Sequence, residues 1–258
     1  MKNKLNTSQN SIDKSFGETL LSDEALSIVK EYSELGIDSV LKDGLLKDIP
    51  LIGTLVSLYK IGGSLKERNE FKKIAVFLNQ LSDIPIEQRI AFQKKLEEKD
   101  QYRESTFEKV LLLLSRLDET QKAELVGNLF KLYILEVISK EKFLRLSGIV
   151  ERILLYDLLA LHYRESTFNR DWEGKQPYSL HNASTSSLFS LGLMEQQIKE
   201  RSSPSGRGSG YLGVTEPYIE MKVSSLGREL ADLLIYDLKD PDFIDHITRL
   251  KKRNRENL

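Results

Sequence analysis

Cysteine is absent from this 258-residue chain, which excludes disulfides, thiol nucleophiles and cysteine-ligated zinc or iron–sulfur sites. The absence is compatible with a reducing cytoplasm, and a cytoplasmic protein is the expectation. An excess of charge of either sign is missing as well. The 38 Lys and Arg and 39 Asp and Glu leave a formal net charge of -1, so attraction to nucleic acid or anionic lipid has to come from a local patch. No apolar run is long enough to span a bilayer, which takes roughly twenty residues. The N-terminal MKNKLNTSQNSIDKSFGETLL carries lysines but no apolar core before Leu20. It is therefore not a secretory signal and reads as a polar, flexible tail over residues 1–20.

Catalytic signals are equally sparse. His162, His181 and His246 are scattered and lack the HExxH spacing that places two ligands on one helix face. No Arg stands before any of them in the pattern of the helical HEPN ribonucleases. Glu220-Met221-Lys222 has the Glu-x-Lys spacing of a restriction-type nuclease strand, but that chemistry needs an acidic partner on a neighbouring strand to hold a metal. Alternating exposed charge on a strand accounts for it better. The Gly-rich GRGSG lacks the GK[ST] ending of a phosphate loop. The expectation is a non-enzymatic chain with no cofactor, no metal site and no catalytic residue.

What is present is helical pattern. Ile49 to Lys66, IPLIGTLVSLYKIGGSLK, is the most one-sided apolar stretch. At 3.6 residues per turn Leu51, Ile52, Leu55, Val56, Leu58 and Tyr59 share one face, and small or polar residues fill the other. Pro50 suits a first helical turn, and Gly62-Gly63 breaks the helix before Ser64 and Glu67 restart it. Lys60 interrupts the run, so the stretch does not span a membrane. It is either a core helix or a surface that lies on a membrane or a protein partner over Ile49 to Leu65. The burial of Leu55 and Tyr59 separates these readings.

The remaining helices follow from caps and periodicity. Ser22 opens one with Ala25, Ile28, Val29 and Tyr32 inward, Gly36 closes it, and a short helix over 37–46 follows. Phe71, Ile74, Ala75, Leu78 and Leu81 recur at helical spacing until Ser82, Asp83 and Pro85 stop them. A helix over 86–97 comes next. Ser105 with Glu108, then Asp118, then Ser139 start three more, whose inner residues include Phe107, Leu111, Val126, Phe130, Phe143, Val150 and Leu154. Short polar connections favour an antiparallel bundle over residues 21–145.

Composition then changes. Polar residues 169–187 lead into a short helix over 184–191 that Gly192 ends. Leu193 to Lys199 and Tyr218 to Val223 form a strand pair around a tip rich in Gly, Ser and Pro, and Ser224 or Ser225 caps a final helix. SLFSLGLMEQ and YIEMKVSSLGRELADLL resemble the closing part of bacterial winged-helix domains. The fold class expected is therefore mainly α, a helical bundle followed by a winged-helix-like domain with one β-hairpin over 146–240 and a basic tail over 241–258. IPLIGTLVSLYK loosely resembles bacterial proteins of phage-defence and mobile-element neighbourhoods. That resemblance implies an abortive-infection effector or its regulator, peripheral to the inner membrane.

A winged helix reads DNA through the helix before its hairpin, yet NASTSSLFSL contains no Arg or Lys. Nucleic-acid contacts would fall to Lys199, Arg201 and Arg207 in the wing and to Arg249, Lys251, Lys252 and Arg253 in the tail, because phosphate neutralisation dominates such affinity. Two functions are carried forward. One is an interaction protein with a protein partner and an amphipathic membrane or partner face. The other is a nucleic-acid-binding regulator.

Overall fold

The computed structural model describes residues 2–35, 48–59, 65–99, 106–158, 161, 185–203 and 214–235. It is mainly α-helical with one two-stranded antiparallel sheet, as expected. The chain divides after Arg152, so the expected boundary at 146 falls inside a helix.

The first unit contains α1 (Lys2–Leu21), α2 (Asp23–Leu35), α3 (Pro50–Tyr59), α4 (Leu65–Asn79), α5 (Ile86–Lys99), α6 (Thr106–Arg116), α7 (Thr120–Ile134) and α8 (Lys140–Arg152). The starts of α2, α3 and α8 obey the local chemistry read from the sequence, whereas the N-cap of α7 is Glu119, with no side-chain cap bond, and not the expected Asp118. The Ser22 hydroxyl accepts the Ala25 N–H at 3.0 Å, and the Ser139 hydroxyl accepts that of Lys142 at 3.2 Å, as N-caps do. The expected inner residues of α4 are all buried, and so are Phe107, Val126, Phe130, Phe143 and Val150. Leu111 is only half-buried, its neighbour Leu113 taking the inward place. Leu154 is exposed, because α8 ends at Arg152 and the helical register that pointed it inward ends there. The expected helix over 37–46, the Gly36 stop, the Gly62-Gly63 break, the Ser64 cap and the Ser105 cap lie outside the described residues.

The principal correction concerns the N-terminus. Residues 1–20 read as a tail, but α1 is a helix and Ile12, Phe16 and Leu20, spaced four apart, are buried along one stripe. Phe16 lies in an aromatic cluster. It stacks on Phe107 with ring centroids 4.1 Å apart and meets the edges of Phe77 and Phe130. Phe130 in turn contacts Phe92, Tyr133 and Phe143. Rings from α1, α4, α5, α6, α7 and α8 thus meet in one core, in the offset and edge-to-face arrangements aromatic quadrupoles favour.

Four cations are buried among the described residues of this unit, Lys73, Arg89, Lys122 and Lys131, and each of the first three closes the C-terminal end of a helix on another element. Arg89 of α5 donates to the Leu20 carbonyl of α1 at 2.8 Å and to Ile84 at 2.9 Å, and pairs with Asp23. Lys73 of α4 donates to the Leu117 carbonyl beyond α6 at 3.0 Å and pairs with Glu70 at 2.9 Å. Lys122 of α7 reaches the Glu151 carbonyl of α8 at 3.3 Å and pairs with Asp118 at 2.7 Å. Last-turn carbonyls have no intrahelical partner and carry the negative end of the helix dipole. A cation set there is hydrogen-bonded and charge-compensated, the condition under which burying it is tolerable.

The second unit contains α9 (Thr185–Ser190), β1 (Met194–Ser203), β2 (Val214–Val223) and α10 (Ser225–Ile235). The strands pair antiparallel from Met194 opposite Val223 to Ser203 opposite Val214. Each is several residues longer than the apolar pattern indicated.

Candidate interaction surface

The sequence offers two candidate surfaces, and the structure treats them differently. In α3, Leu51, Ile52 and Leu55 are buried, with Ile49 before them, and Val56 is half-buried. Leu58 and Tyr59 belong to the same helix, but their side chains lie outside the described residues. The cover is α1. The Thr19 hydroxyl, itself buried, accepts the Leu51 N–H at 3.0 Å, which supplies from a different helix the first-turn acceptor that α3 lacks. Of the two readings of this face, core helix or membrane and partner surface, the core reading holds at Leu51, Ile52 and Leu55. The reason is that the segment read as a tail provides its partner.

The hairpin is built differently. At its base α9 ends in a paired turn. The Gly192 N–H bonds to the Phe189 carbonyl and the Leu193 N–H to that of Leu188, both at 2.9 Å, with Gly192 at φ +73, the left-handed cap that glycine adopts without strain. Ser224 then ties both ends of the hairpin. Its hydroxyl donates to the Gly192 carbonyl at 2.6 Å and accepts the Gly227 N–H at 3.0 Å as the N-cap of α10. Gly227 sits so close to β1 that a Cβ there would stand 2.2 Å from the Leu193 carbonyl oxygen. Leu193, Met194, Val223, Leu230 and Leu233 are buried around this anchorage.

Beyond the base the strand is open. Every residue from Glu195 to Glu200 is exposed, Ile198 to 75%. Side chains alternate between faces along a strand. Register therefore assigns Glu195, Gln197, Lys199 and Arg201 to one face with Lys222, Glu220, Tyr218 and Glu216 opposite them. Gln196, Ile198 and Glu200 take the other face, opposite Met221, Ile219 and Pro217. Lys222 pairs with Glu195 at 3.0 Å, so the lysine of the Glu-x-Lys spacing serves a cross-strand ion pair.

Of the expected nucleic-acid contacts, Lys199 and Arg201 lie two residues apart on β1, Lys199 exposed and the Arg201 side chain outside the described residues. Arg207, Arg249, Lys251, Lys252 and Arg253 are all outside the described residues. Among the described residues no group of three or more His, Asp or Glu could hold a metal ion, and no helix is long and apolar enough to cross a membrane. The polar groups that sequence reasoning missed are Lys73, Arg89 and Lys122. Each has a polar residue before it, Lys72, Gln88 and Gln121, so no local pattern marks them as inward-facing. Asp118, beside Lys122, has its carboxyl held below the ordinary range chiefly by the hydrogen bond from that ammonium. Compared with known proteins, the chain matches no family model, no curated protein and no solved structure.

Proposed function

We propose that this chain is a non-catalytic protein-binding module in which the helical unit is the scaffold and the β1–β2 hairpin the recognition element. The observation that carries this reading is the unbroken exposed run Glu195 to Glu200 on a strand whose base is clamped by Ser224 and Gly227. A clamped base holds the displayed side chains in one arrangement, which reduces the ordering cost of binding. The loose resemblance of IPLIGTLVSLYK to phage-defence proteins suggests the setting, with the chain a regulator of an abortive-infection response.

Membrane insertion by α3 is the less favoured form of that idea. Exposing Ile49, Leu51, Ile52 and Leu55 costs about 1.5–3 kcal/mol each, together most of the roughly 5–15 kcal/mol that stabilises a domain. The test of the binding reading is a photo-crosslinking residue placed at Gln196 or Gln197 and, as control, at the exposed Gln121 of α7. Protein adducts concentrated at the hairpin positions are expected. Adducts equally abundant at Gln121, or absent from the hairpin, refute the reading.

A second reading is favoured by one observation, the exposed Lys199 on a hairpin set between two helices in the order of a winged helix. Under it the chain is a nucleic-acid-binding regulator. It predicts duplex-DNA binding that weakens steeply with salt and is lost in Arg201→Ala/Arg207→Ala. Absence of binding at low salt removes it. The exposed Glu195 and Glu200 beside Lys199 oppose phosphate approach and make this the alternative.

A further inference from the structure

The two edges of the hairpin are not equivalent. The Ser224 N–H donates to the Leu193 carbonyl at 3.0 Å, and these two residues continue the register that pairs Met194 with Val223. Leu193 and Ser224 are therefore a hydrogen-bonded pair, and such pairs alternate along an antiparallel ladder. It follows that Met194, Gln196, Ile198, Glu200 and Ser202 direct their N–H and C=O groups away from β2. Pro217, opposite Glu200, falls in the same outward set of β2. Its missing N–H costs the hairpin no bond but deletes a donor from the outer edge of β2, a common way of blunting an edge strand. The outer edge of β1 has neither Pro nor Gly over ten residues, and among the described residues no third strand pairs with it.

The sequence of β1 also complements itself. Reversed about Ile198, it sets Glu195 against Arg201, Gln197 against Lys199, and Ile198 against Ile198. We propose that the outer edge of β1 is the docking site for β1 of a second copy of this chain, the two strands running antiparallel with the two-fold axis at Ile198. This rests on the reading of the hairpin as the recognition element and names its partner.

The axis falls on an outward-directed residue, so the central pair exchanges both backbone hydrogen bonds. Each cross-strand row then extends through four strands. One row reads Lys222, Glu195, Arg201 of the second copy and Glu216 of the second copy, alternating in charge at every step. Another reads Ile219, Ile198 and the same two isoleucines in reverse, which covers the most exposed large apolar residue of the described chain. Neighbouring registers lose this. Moving the axis to Lys199 sets that lysine against its own copy, and moving it to Gln197 sets Ile198 against Gln196. Opposite charges and apolar pairs directly across strands stabilise, and like charges destabilise. An interface of one strand edge per subunit belongs to the small, reversible class, so the dimer forms and dissociates with concentration.

The test is sedimentation equilibrium of the full chain from micromolar to sub-millimolar concentration. A monomer–dimer equilibrium is expected. Glu195→Arg and Arg201→Glu each place like charges together at both symmetric contacts and weaken the dimer roughly tenfold or more. An equimolar mixture of the two variants restores opposite charges at both contacts, so it associates more tightly than either alone. That result does not depend on whether a single reversal disturbs its own hairpin. Ile198→Pro, which removes an outward donor and no β1–β2 bond, abolishes association while leaving the β-sheet circular dichroism in place. A wild type that stays monomeric throughout, a dimer indifferent to Glu195→Arg, or a mixture no tighter than its components overturns the inference. Hairpin crosslinks to other proteins with a monomeric wild type overturn it while leaving the binding reading intact; loss of both sinks the two together.

Discussion

Replacing Phe16 with alanine measures whether α1 is part of the fold or an appendage. The ring is fully buried, stacked on Phe107 at 4.1 Å and touching Phe77 and Phe130 at 6.2 and 6.1 Å. Truncating a buried phenylalanine costs about 3–5 kcal/mol, the upper part of that span applying where the surroundings cannot close the cavity. Closure is resisted here, because α1 is pinned at its far end by the Arg89 bond to Leu20 and the Thr19 bond to Leu51. The expected loss is about 4 kcal/mol. Native-state hydrogen exchange on the amides of α7, with urea titration followed by circular dichroism, reads it in the unit concerned. Lys14→Ala on the exposed face of the same helix serves as control and should move stability by less than about 0.5 kcal/mol. A loss below about 1 kcal/mol for Phe16→Ala would show that α1 does not hold the core, and with it would fall the claim that α1 covers α3.

Leu55→Asp places a carboxylate against α1, where burial at 7% exposure leaves it nearly unsolvated. It should unfold the helical unit in thermal melts, by about 3 kcal/mol or more; a folded, unchanged variant would contradict the core assignment. Arg89→Ala leaves the Leu20 and Ile84 carbonyls without their donor and should cost about 1–3 kcal/mol for each in urea denaturation. Gly227→Ala drives a methyl group into the Leu193 carbonyl, so hairpin amides should lose exchange protection while those of α7 keep theirs. For Asp118, whose folded carboxyl ionises below its ordinary value of 3.8 because of Lys122, the ion pair stabilises above that value. Its contribution disappears as pH falls through the lower folded value. Wild type should therefore exceed Asp118→Asn in stability at neutral pH, the gap closing only in strongly acidic urea titrations.

Helix existence was legible because its signals are local. Ser22 and Ser139 precede their helices by one residue, and Phe71 to Leu81 repeat within one element. The hairpin and its capping serine were legible for the same reason, the turn at Gly192 and the cap at Ser224 each being read within four residues. The buried cations were not legible. A lysine that points at another helix's last carbonyls looks, along the chain, like any lysine, and only the assembly of α4 on α6 and of α7 on α8 gives Lys73 and Lys122 their partners. The tail assignment failed for a related reason. Ile12, Phe16 and Leu20 are one residue in four, separated by Ser, Gly, Thr and charge. Average polarity hides a stripe that narrow, although burial needs nothing wider when the buried hydroxyls bond within the helix. Ser15 and Thr19 do so, to Ile12 and Ser15.

The consequence for function runs through α3. One-sidedness in a helix states that an apolar face must be covered and is silent about what covers it. With α1 read as a tail, the face of Leu51, Ile52 and Leu55 had either the later helices or a membrane or protein to cover it. With α1 folded, Thr19 and the residues around it supply that partner, and the demand for an external one moves to where apolar surface and backbone groups remain open. On the described chain that place is β1. Ile198 is more exposed than any other large apolar residue there, and the strand directs an unpaired row of donors and acceptors outward. In the proposed dimer, burying Ile198 in a row of four isoleucines would satisfy on the hairpin the same physical requirement that α1 satisfies for α3, with the difference that the second strand comes from another copy of the chain.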